Sequence, residues 1–130
     1  MNSNSGLLLI AMSFALASCH SDEVTSEYYD LGEARRAGAF ERGWLPPVLP
    51  QSSLHIVECN DLDSNLGSGS FDFDPADLKP YLEHVRNNLA AEIEEKDGIS
   101  VIRISSKETR WILNLPKDGK RASFNSKLLH

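Results

Sequence analysis

The chain has 130 residues and a formal net charge of −6. This length is enough for one domain with a modest core and leaves no room for two. Acidic residues are concentrated in the first half: residues 19–77 carry a net charge of −9, and residues 78–130 carry a net charge of +3. Such a balance disfavours nucleic acid as a partner and also disfavours direct docking on strongly anionic lipid.

The first 18 residues carry no charged side chain and contain an apolar run that is too short to span a bilayer, as in a signal peptide. The next feature is Leu16-Ala17-Ser18-Cys19, which resembles the lipobox of bacterial lipoproteins. The resemblance implies that the Cys19 thiol receives a diacylglyceryl group, that the chain is cut before Cys19, and that the new amine receives a fatty acid such as palmitate. Two or more acyl chains anchor a protein stably to a membrane.

A second processing site competes with the lipobox. Ala15-Leu16-Ala17 matches the A-x-A site of the ordinary signal peptidase, which would release a protein that begins at Ser18. Cys19 could then form a disulfide with Cys59, the second cysteine of the chain. Under the lipoprotein interpretation, Cys59 is expected to be a small buried residue on a strand.

The sequence therefore predicts a signal peptide at 1–18, a lipidated polar tether at 19–27 and a single globular domain at 28–130. In Gram-negative lipoproteins, an Asp directly after the lipidated cysteine commonly retains the protein at the inner membrane. Here that residue is His20. The resemblance thus implies the periplasmic face of the outer membrane if the organism is Gram-negative.

The domain is predicted to begin with a short helix near 31–38, because Asp30 and Glu33 have the spacing of a capping box. Three prolines between 46 and 50 then predict an ordered apolar loop without regular structure. Residues 54–59 and 69–74 read as a hairpin, and 78–89 reads as an amphipathic helix capped by Asp77. Further strands are predicted at 99–104, 109–115 and 122–125, after an acidic linker at 90–97.

These elements predict an α+β fold. We expect an antiparallel sheet of about five strands, with one face covered by the helix at 78–89, together with the short N-terminal helix and the proline-rich loop.

The stretch from Tyr29 to Phe73 resembles a group of small uncharacterised bacterial envelope proteins. The shared pattern includes Arg-Gly-Trp-Leu-Pro at 42–46, Leu-Pro at 49–50, and Asp-Leu-Asp-x-Asn at 61–65. The resemblance implies a bacterial envelope protein and carries no activity.

The candidate metal ligands are the oxygen-bearing side chains Asp61, Asp63, Asn65 and Asp72, whose alternating loop positions and distal carboxylate suit Ca²⁺. The calcium-loop pattern requires Gly at its sixth position, where this chain has Leu66. The alternative, which the sequence favours, is that these side chains make turn hydrogen bonds to the local backbone. No cofactor is expected, and Ca²⁺ is the one cation considered.

Arg42 and Trp44 are candidate partner-binding residues, since Trp and Arg are typical interface anchors. The favoured alternative is that Trp44 packs under the proline loop. Nucleophilic chemistry would need Cys59 beside His55 or His84, and no orienting carboxylate stands near them in a recognisable spacing.

The sequence accordingly favours a non-catalytic binding or accessory module that is lipid-anchored in the cell envelope and contacts an envelope protein. Two alternatives stay open. One is an acidic inhibitor or immunity-type protein that masks a basic partner through Asp61, Asp63, Asp72 and Asp74; the other is a metal-dependent or thiol enzyme.

Overall fold

The computed structural model describes residues 23–129. Residues 1–22, with the predicted signal peptide and Cys19, lie outside the described part of the chain, as does His130. The strands are β1 Glu23–Asp30, β2 Leu54–Asp61, β3 Gly67–Asp72, β4 Glu92–Lys96, β5 Ile99–Ser106, β6 Thr109–Pro116 and β7 Ala122–Leu128. The helices are α1 Leu31–Arg36 and α2 Leu78–Leu89, and a 3-10 turn at Pro75–Asp77 leads into α2.

All seven strands form one antiparallel sheet in the order β1-β2-β3-β7-β6-β5-β4. The first three strands are a meander, and the last four are a second meander that runs inward from the opposite edge. The segment that contains α2 connects β3 to β4, the strand at the opposite edge of the sheet. The pair β3–β7, with Ser68 opposite Asn125 and Phe71 opposite Ala122, joins the two meanders.

The predicted fold class is wrong. The domain is mostly β, with seven strands rather than about five, and α2 does not cover a face of the sheet, because its strand contacts are chiefly with β4 and β5. The rest of the buried face lies under α1 and the proline loop, which contribute Leu31, Ala34, Leu45 and Leu49 to the core. The Tyr81 hydroxyl donates to the Val48 carbonyl at 2.8 Å and so joins α2 to this loop.

The two edge strands, β1 and β4, are the elements that the sequence does not predict. β1 begins inside the segment expected to be a tether, and β4 occupies the segment expected to be a linker. Both are polar: β4 is Glu-Ile-Glu-Glu-Lys. Edge strands are often charged because one side of their backbone faces water, so hydrophobic alternation does not reveal them.

Side chains of cross-strand partners lie on the same face of the sheet. In this sheet one face is apolar and the other is polar. Ile56 and Phe71 in the first meander, and Leu113 and Phe124 in the second, lie on the buried face. Among residues 23–129, no helix has the length and apolar character that crossing a bilayer requires.

The antiparallel register also sorts the connections between two ends of the sheet. The entry end contains Glu23, the loop at 62–66, the turn at 107–108 and the end of β7 with Leu129. The far end contains Tyr29, Leu54, Asp72 and Arg121.

Candidate functional site

His55 lies at the far end in an uncommon backbone conformation. The register of β2 against β3 shifts between Leu54 and Val57, and His55, inside this irregularity, has φ +52°. This left-handed region is costly for a residue with a Cβ atom and persists only where the surrounding structure enforces it. The irregularity directs the imidazole outward, and its side chain is 66 % exposed.

The His55 ring is held between two neighbours. The Tyr29 ring meets it edge-on with centroids 5.9 Å apart, and its Nδ1 atom lies 3.4 Å from Asp72 Oδ2. The other carboxylate oxygen of Asp72 accepts a hydrogen bond from the Arg121 backbone N–H at 2.8 Å. This bond, supported by His55, lowers the pKa of Asp72 below its ordinary value and keeps the carboxylate ionised.

We call Tyr29, Leu54, His55, Asp72 and Arg121 the far patch. A groove of about 300 Å³ lies beside it, with Ser70 in its lining. Ser70 has no hydrogen bond to His55 in the described chain, so the His55–Asp72 pair is not coupled to a hydroxyl nucleophile there. The arrangement holds an aromatic ring, an imidazole and a carboxylate at the surface in one fixed geometry.

The four candidate metal ligands are not brought together. Asp61 Oδ1 accepts the backbone N–H of Asp63 at 2.9 Å, which is a turn hydrogen bond of the kind that the sequence favoured. Asn65 Oδ1 accepts from the Asn60 amide at 3.3 Å. Asp72 lies at the opposite end of β3, in the far patch. Within residues 23–129 no group of three or more His, Cys, Asp or Glu side chains could hold a metal ion.

Arg42 and Trp44 contact each other, with the Arg42 guanidinium carbon 4.9 Å from the Trp44 ring centroid. The Trp44 side chain is half-buried, and the Trp44 backbone N–H donates to the Ala39 carbonyl at 3.0 Å. Arg42 also lines an open cleft of about 360 Å³ at the entry end, where Asn65 and Trp111 contribute to the wall. Two candidate residues from separate motifs, Arg42 and Asn65, therefore share this cleft.

Cys59 is buried on β2, as predicted, and it lies on the polar face, where its Sγ atom is 3.7 Å from Thr25 Oγ1. It is disulfide-bonded in this structure. A thiol nucleophile at Cys59 has no support from this geometry. His55 contacts Tyr29 and Asp72 instead, while His84 lies on α2, whose strand contacts are chiefly with β4 and β5.

Glu58 is a chemically unusual residue that no sequence motif marks. It is fully buried on the core side of β2, and neither carboxylate oxygen has a hydrogen-bond partner in the described chain. The side-chain oxygen of buried Asn60, two residues along the same face, also has none. Burial raises the pKa of Glu58 to about 7. The sequence does contain one sign of this burial. Glu58 lies two residues after the apolar Ile56 on the same strand, so both side chains lie on the core face.

Comparison with known proteins adds a family to this description. The structure defines a mostly β, seven-stranded sheet protein with a structured polar patch at one end. Residues 22–72 match the family described as YbbD head domain, which indicates a bacterial family. The match covers β1 to β3 and every far-patch residue except Arg121. Neither a curated protein nor a solved structure matches the chain.

The match confirms the bacterial character expected from the pattern at 29–73. The lipobox at 16–19, the envelope location and the specific motif stay predictions.

Proposed function

We propose that this chain is a lipid-anchored, non-catalytic binding module of the bacterial cell envelope, and that it docks a second envelope protein through the far patch. The observation that carries the proposal is the exposed imidazole of His55, which is held between the Tyr29 ring and the Asp72 carboxylate. Of the residues in this patch, His55 and Arg121 both have a positive φ, a conformation that they share with four other non-glycine residues of the described chain.

The composition of the far patch supports binding. Tyr29 is 64 % exposed and Leu54 is 37 % exposed, so the patch presents apolar surface as well as the His55 and Asp72 side chains. Tyr is enriched among the residues that dominate binding energy at protein interfaces. Its ring is held at the surface by His55, so binding would cost less side-chain entropy than it would for an unrestrained residue.

A direct test uses photo-crosslinking in intact cells. A benzophenone amino acid is placed at Leu54 in the far patch, and the matched control places it at Leu62, which is exposed at the entry end. We expect a crosslinked protein species from position 54 that is absent from position 62 and is lost on Tyr29→Ala. Equal protein crosslinking at both positions, or crosslinking that Tyr29→Ala leaves unchanged, would rule out the far patch.

The lipid anchor rests on the lipobox resemblance and has a defined rival. A thioether at Cys19 cannot take part in a disulfide, and Cys59 is disulfide-bonded in the structure. A protein released after Ala17 would keep the Cys19 thiol and could close a Cys19–Cys59 disulfide. Intact mass of the mature protein separates the two forms: we expect a chain that begins at Cys19 and carries the mass of its acyl groups. A chain that begins at Ser18 and lacks lipid would refute the anchor.

A second candidate is an inhibitor that masks a basic protein. The acidic first half of the sequence forms β1 to β3, so the charge asymmetry of the sequence becomes a spatial one across the sheet. The four-aspartate surface expected for this function is divided, however: Asp61 and Asp63 lie at the entry end, whereas Asp72 ends β3 and Asp74 follows it at the far end. Neutralising the latter two should slow association and flatten its salt dependence; unchanged on-rates would eliminate this candidate.

A further inference from the structure

The cleft of about 360 Å³ at the entry end is lined mainly by three turns: the segment at 38–44, the loop at 62–66 and the turn at 106–109. In the first turn, the Arg42 N–H donates to the Gly38 carbonyl at 3.1 Å. Backbone hydrogen bonds also fix the other two: the Asn65 N–H donates to the Asp61 carbonyl at 2.7 Å, and the Leu129 N–H donates to the Glu108 carbonyl at 2.8 Å. The side chains that line the cleft therefore project from a fixed backbone.

Arg42 lines this cleft with an unpaired guanidinium group. The guanidinium carbon is 4.9 Å from the Trp44 ring centroid, and a Cβ atom added at Gly38 would lie 3.8 Å from it. Within residues 23–129 the guanidinium takes part in no ion pair and no hydrogen bond. A guanidinium that is held in one place, with its planar fork of N–H groups free, is suited to binding a carboxylate.

Charges of both signs lie in the cleft. Lys107 adds a second cation to its lining, and Glu41 and Glu108 add two carboxylates. All four charged residues are exposed, and none of them belongs to an ion pair in the described part of the chain. Positive and negative groups thus share one cleft without pairing with each other. A ligand that carries both a carboxylate and an ammonium group would pair with both kinds.

Aromatic surface lies among these polar groups. Trp111 is buried and Phe40 is half-buried against the core, and both line the cleft. Asn65 adds an amide whose oxygen accepts from the Asn60 amide at 3.3 Å, so its NH₂ group is left to donate. Aromatic side chains beside a few polar groups are typical of small-ligand sites, and the volume of this cleft is near the lower limit for such sites. A ligand of the size of a dipeptide therefore fits it.

We propose that this cleft binds a short zwitterionic peptide of about two residues. Arg42 and Lys107 hold the peptide carboxylate. Glu41 and Glu108 hold its ammonium group, and an apolar side chain of the peptide lies against the two aromatic rings. The site is separate from the far patch, and it depends neither on that patch nor on a lipid at Cys19.

Titration of the mature protein with the dipeptide alanyl-leucine tests the site, with amide chemical shifts as the measurement. We expect saturable shift changes at 40–43, 65 and 106–109, and none at the far end, in 117–121. Failure to saturate in the millimolar range, or shift changes of equal size at both ends, would overturn the proposal.

Two blocked peptides are the matched controls. Alanyl-leucine amide lacks the carboxylate, and N-acetyl-alanyl-leucine lacks the ammonium group. Each should bind about tenfold more weakly than alanyl-leucine, because charge-assisted hydrogen bonds are lost. A blocked peptide that binds as tightly as alanyl-leucine would refute the zwitterionic ligand.

Variants assign each charged group of the peptide to its partners. Arg42→Gln should weaken binding and reduce the effect of amidating the peptide, while the effect of acetylation persists. Glu41→Gln combined with Glu108→Gln should do the reverse. Arg42→Lys keeps the charge without the fork, so its affinity should be intermediate. Arg86→Gln, an exposed arginine on α2, is the control and should change nothing.

The same spectra show whether each variant is folded. A folded Arg42→Gln protein that distinguishes the amidated peptide as strongly as the wild type does would refute the assignment of the carboxylate to Arg42.

The cleft and the far patch fail separately. Tyr29→Ala should remove the crosslink from position 54 and leave peptide binding unchanged, whereas Arg42→Gln should weaken peptide binding and leave the crosslink intact. Peptide binding that is lost in a folded Tyr29→Ala protein would contradict a separate site in the cleft.

Discussion

The two ends of this sheet use polar residues in opposite ways. At the far end the Asp72 carboxylate has two partners, the His55 ring and the Arg121 backbone N–H. At the entry end Arg110 lies opposite Lys127, and neither forms an ion pair in the described chain. A carboxylate with two partners is held in one geometry, whereas like charges directly opposite each other destabilise the strand pair.

The difference follows from how an antiparallel sheet is assembled. Connections alternate between the two ends, so each end collects residues that are far apart in the chain. Position 72 meets 55 and 121 at one end, and position 110 meets 127 at the other. Substitutions in the middle of the sheet and at each end can show whether the ends behave as one folded unit and whether each depends on its own contacts.

The largest effect is expected from Glu58, which lies on β2 between the two ends. Its pKa is about 7 in the folded protein and close to 4.5 in the unfolded chain, so the folded state binds the proton more tightly. Stability is therefore fully present below pH 4.5 and falls as the pH rises through 7, by about 3 kcal/mol in all. Urea unfolding at pH 5 and pH 8 measures this difference.

Glu58→Gln should remove most of that pH dependence, and Glu58→Met provides a second test without polar atoms. If the ends form one unit, the Glu58 dependence should appear equally in exchange of far-end and entry-end amides. A wild-type protein whose unfolding free energy is the same at pH 5 and pH 8 would show that Glu58 titrates normally.

A smaller loss of stability is expected from removing a capping aspartate at either end, and the loss should differ between the two ends. Asp30 at the far end caps α1 by accepting the Glu33 N–H at 2.9 Å, and Asp61 at the entry end caps only a loop turn. Asp30→Ala should cost about 1 kcal/mol, because a helix N-cap is lost. Asp61→Ala should cost less. Thermal unfolding measures the loss of stability in both variants. A larger loss for Asp61→Ala than for Asp30→Ala would contradict this prediction.

The Asp72 contacts at the far end predict a weak dependence of stability on acid pH. Its lowered pKa means that its stabilising contribution is present above its unfolded pKa and is lost as the pH falls through the folded value. The carboxylate is substantially exposed, so the contribution is below about 1 kcal/mol. Asp72→Asn should lower stability at pH 7 and reduce the acid dependence. Acid unfolding curves identical to wild type would show that the His55 and Arg121 contacts contribute nothing.

The smallest effect is expected from calcium. Asp61 and Asp63 lie at the entry end and Asp72 lies in the far patch, so the four candidate ligands do not form one shell. We expect the melting temperature to be unchanged within error when millimolar calcium is added, with magnesium as the control. A rise specific to calcium would mean that the entry-end loop binds the ion by itself.

Local chemistry made part of the fold predictable. The capping pair Asp30 and Glu33, and the apolar stripe from Leu78 to Leu89, lead to helices that begin and end close to the predicted positions. Asp77 is an exception, because its carboxylate accepts the Ser52 N–H and makes no cap hydrogen bond, while Asp74 caps the preceding 3-10 turn. The predicted strands on β2, β3, β5, β6 and β7 are present, whereas β1 and β4 are charged edges without the expected alternation.

The candidate sites were harder to predict. Asp72 was identified as a metal ligand by its spacing, but its contacts in the structure are with His55 and Arg121. The irregularity that gives His55 its positive φ arises from pairing with β3, so nothing in the residues around position 55 announces it. Glu58 reads as one acidic residue among nineteen, and only burial distinguishes it.

By itself, the sequence determines the local units of this protein: where turns fall, where helices are capped and which strands have an apolar face, because these depend on neighbouring residues. It also contains the lipobox resemblance at Cys19. The tertiary structure alone decides that β3 pairs with β7, that the proline loop and α1 contribute side chains to the core, and that Tyr29, His55, Asp72 and Arg121 come together. These contacts join residues far apart in the chain, and they form only when the apolar faces of both meanders are buried in one sheet.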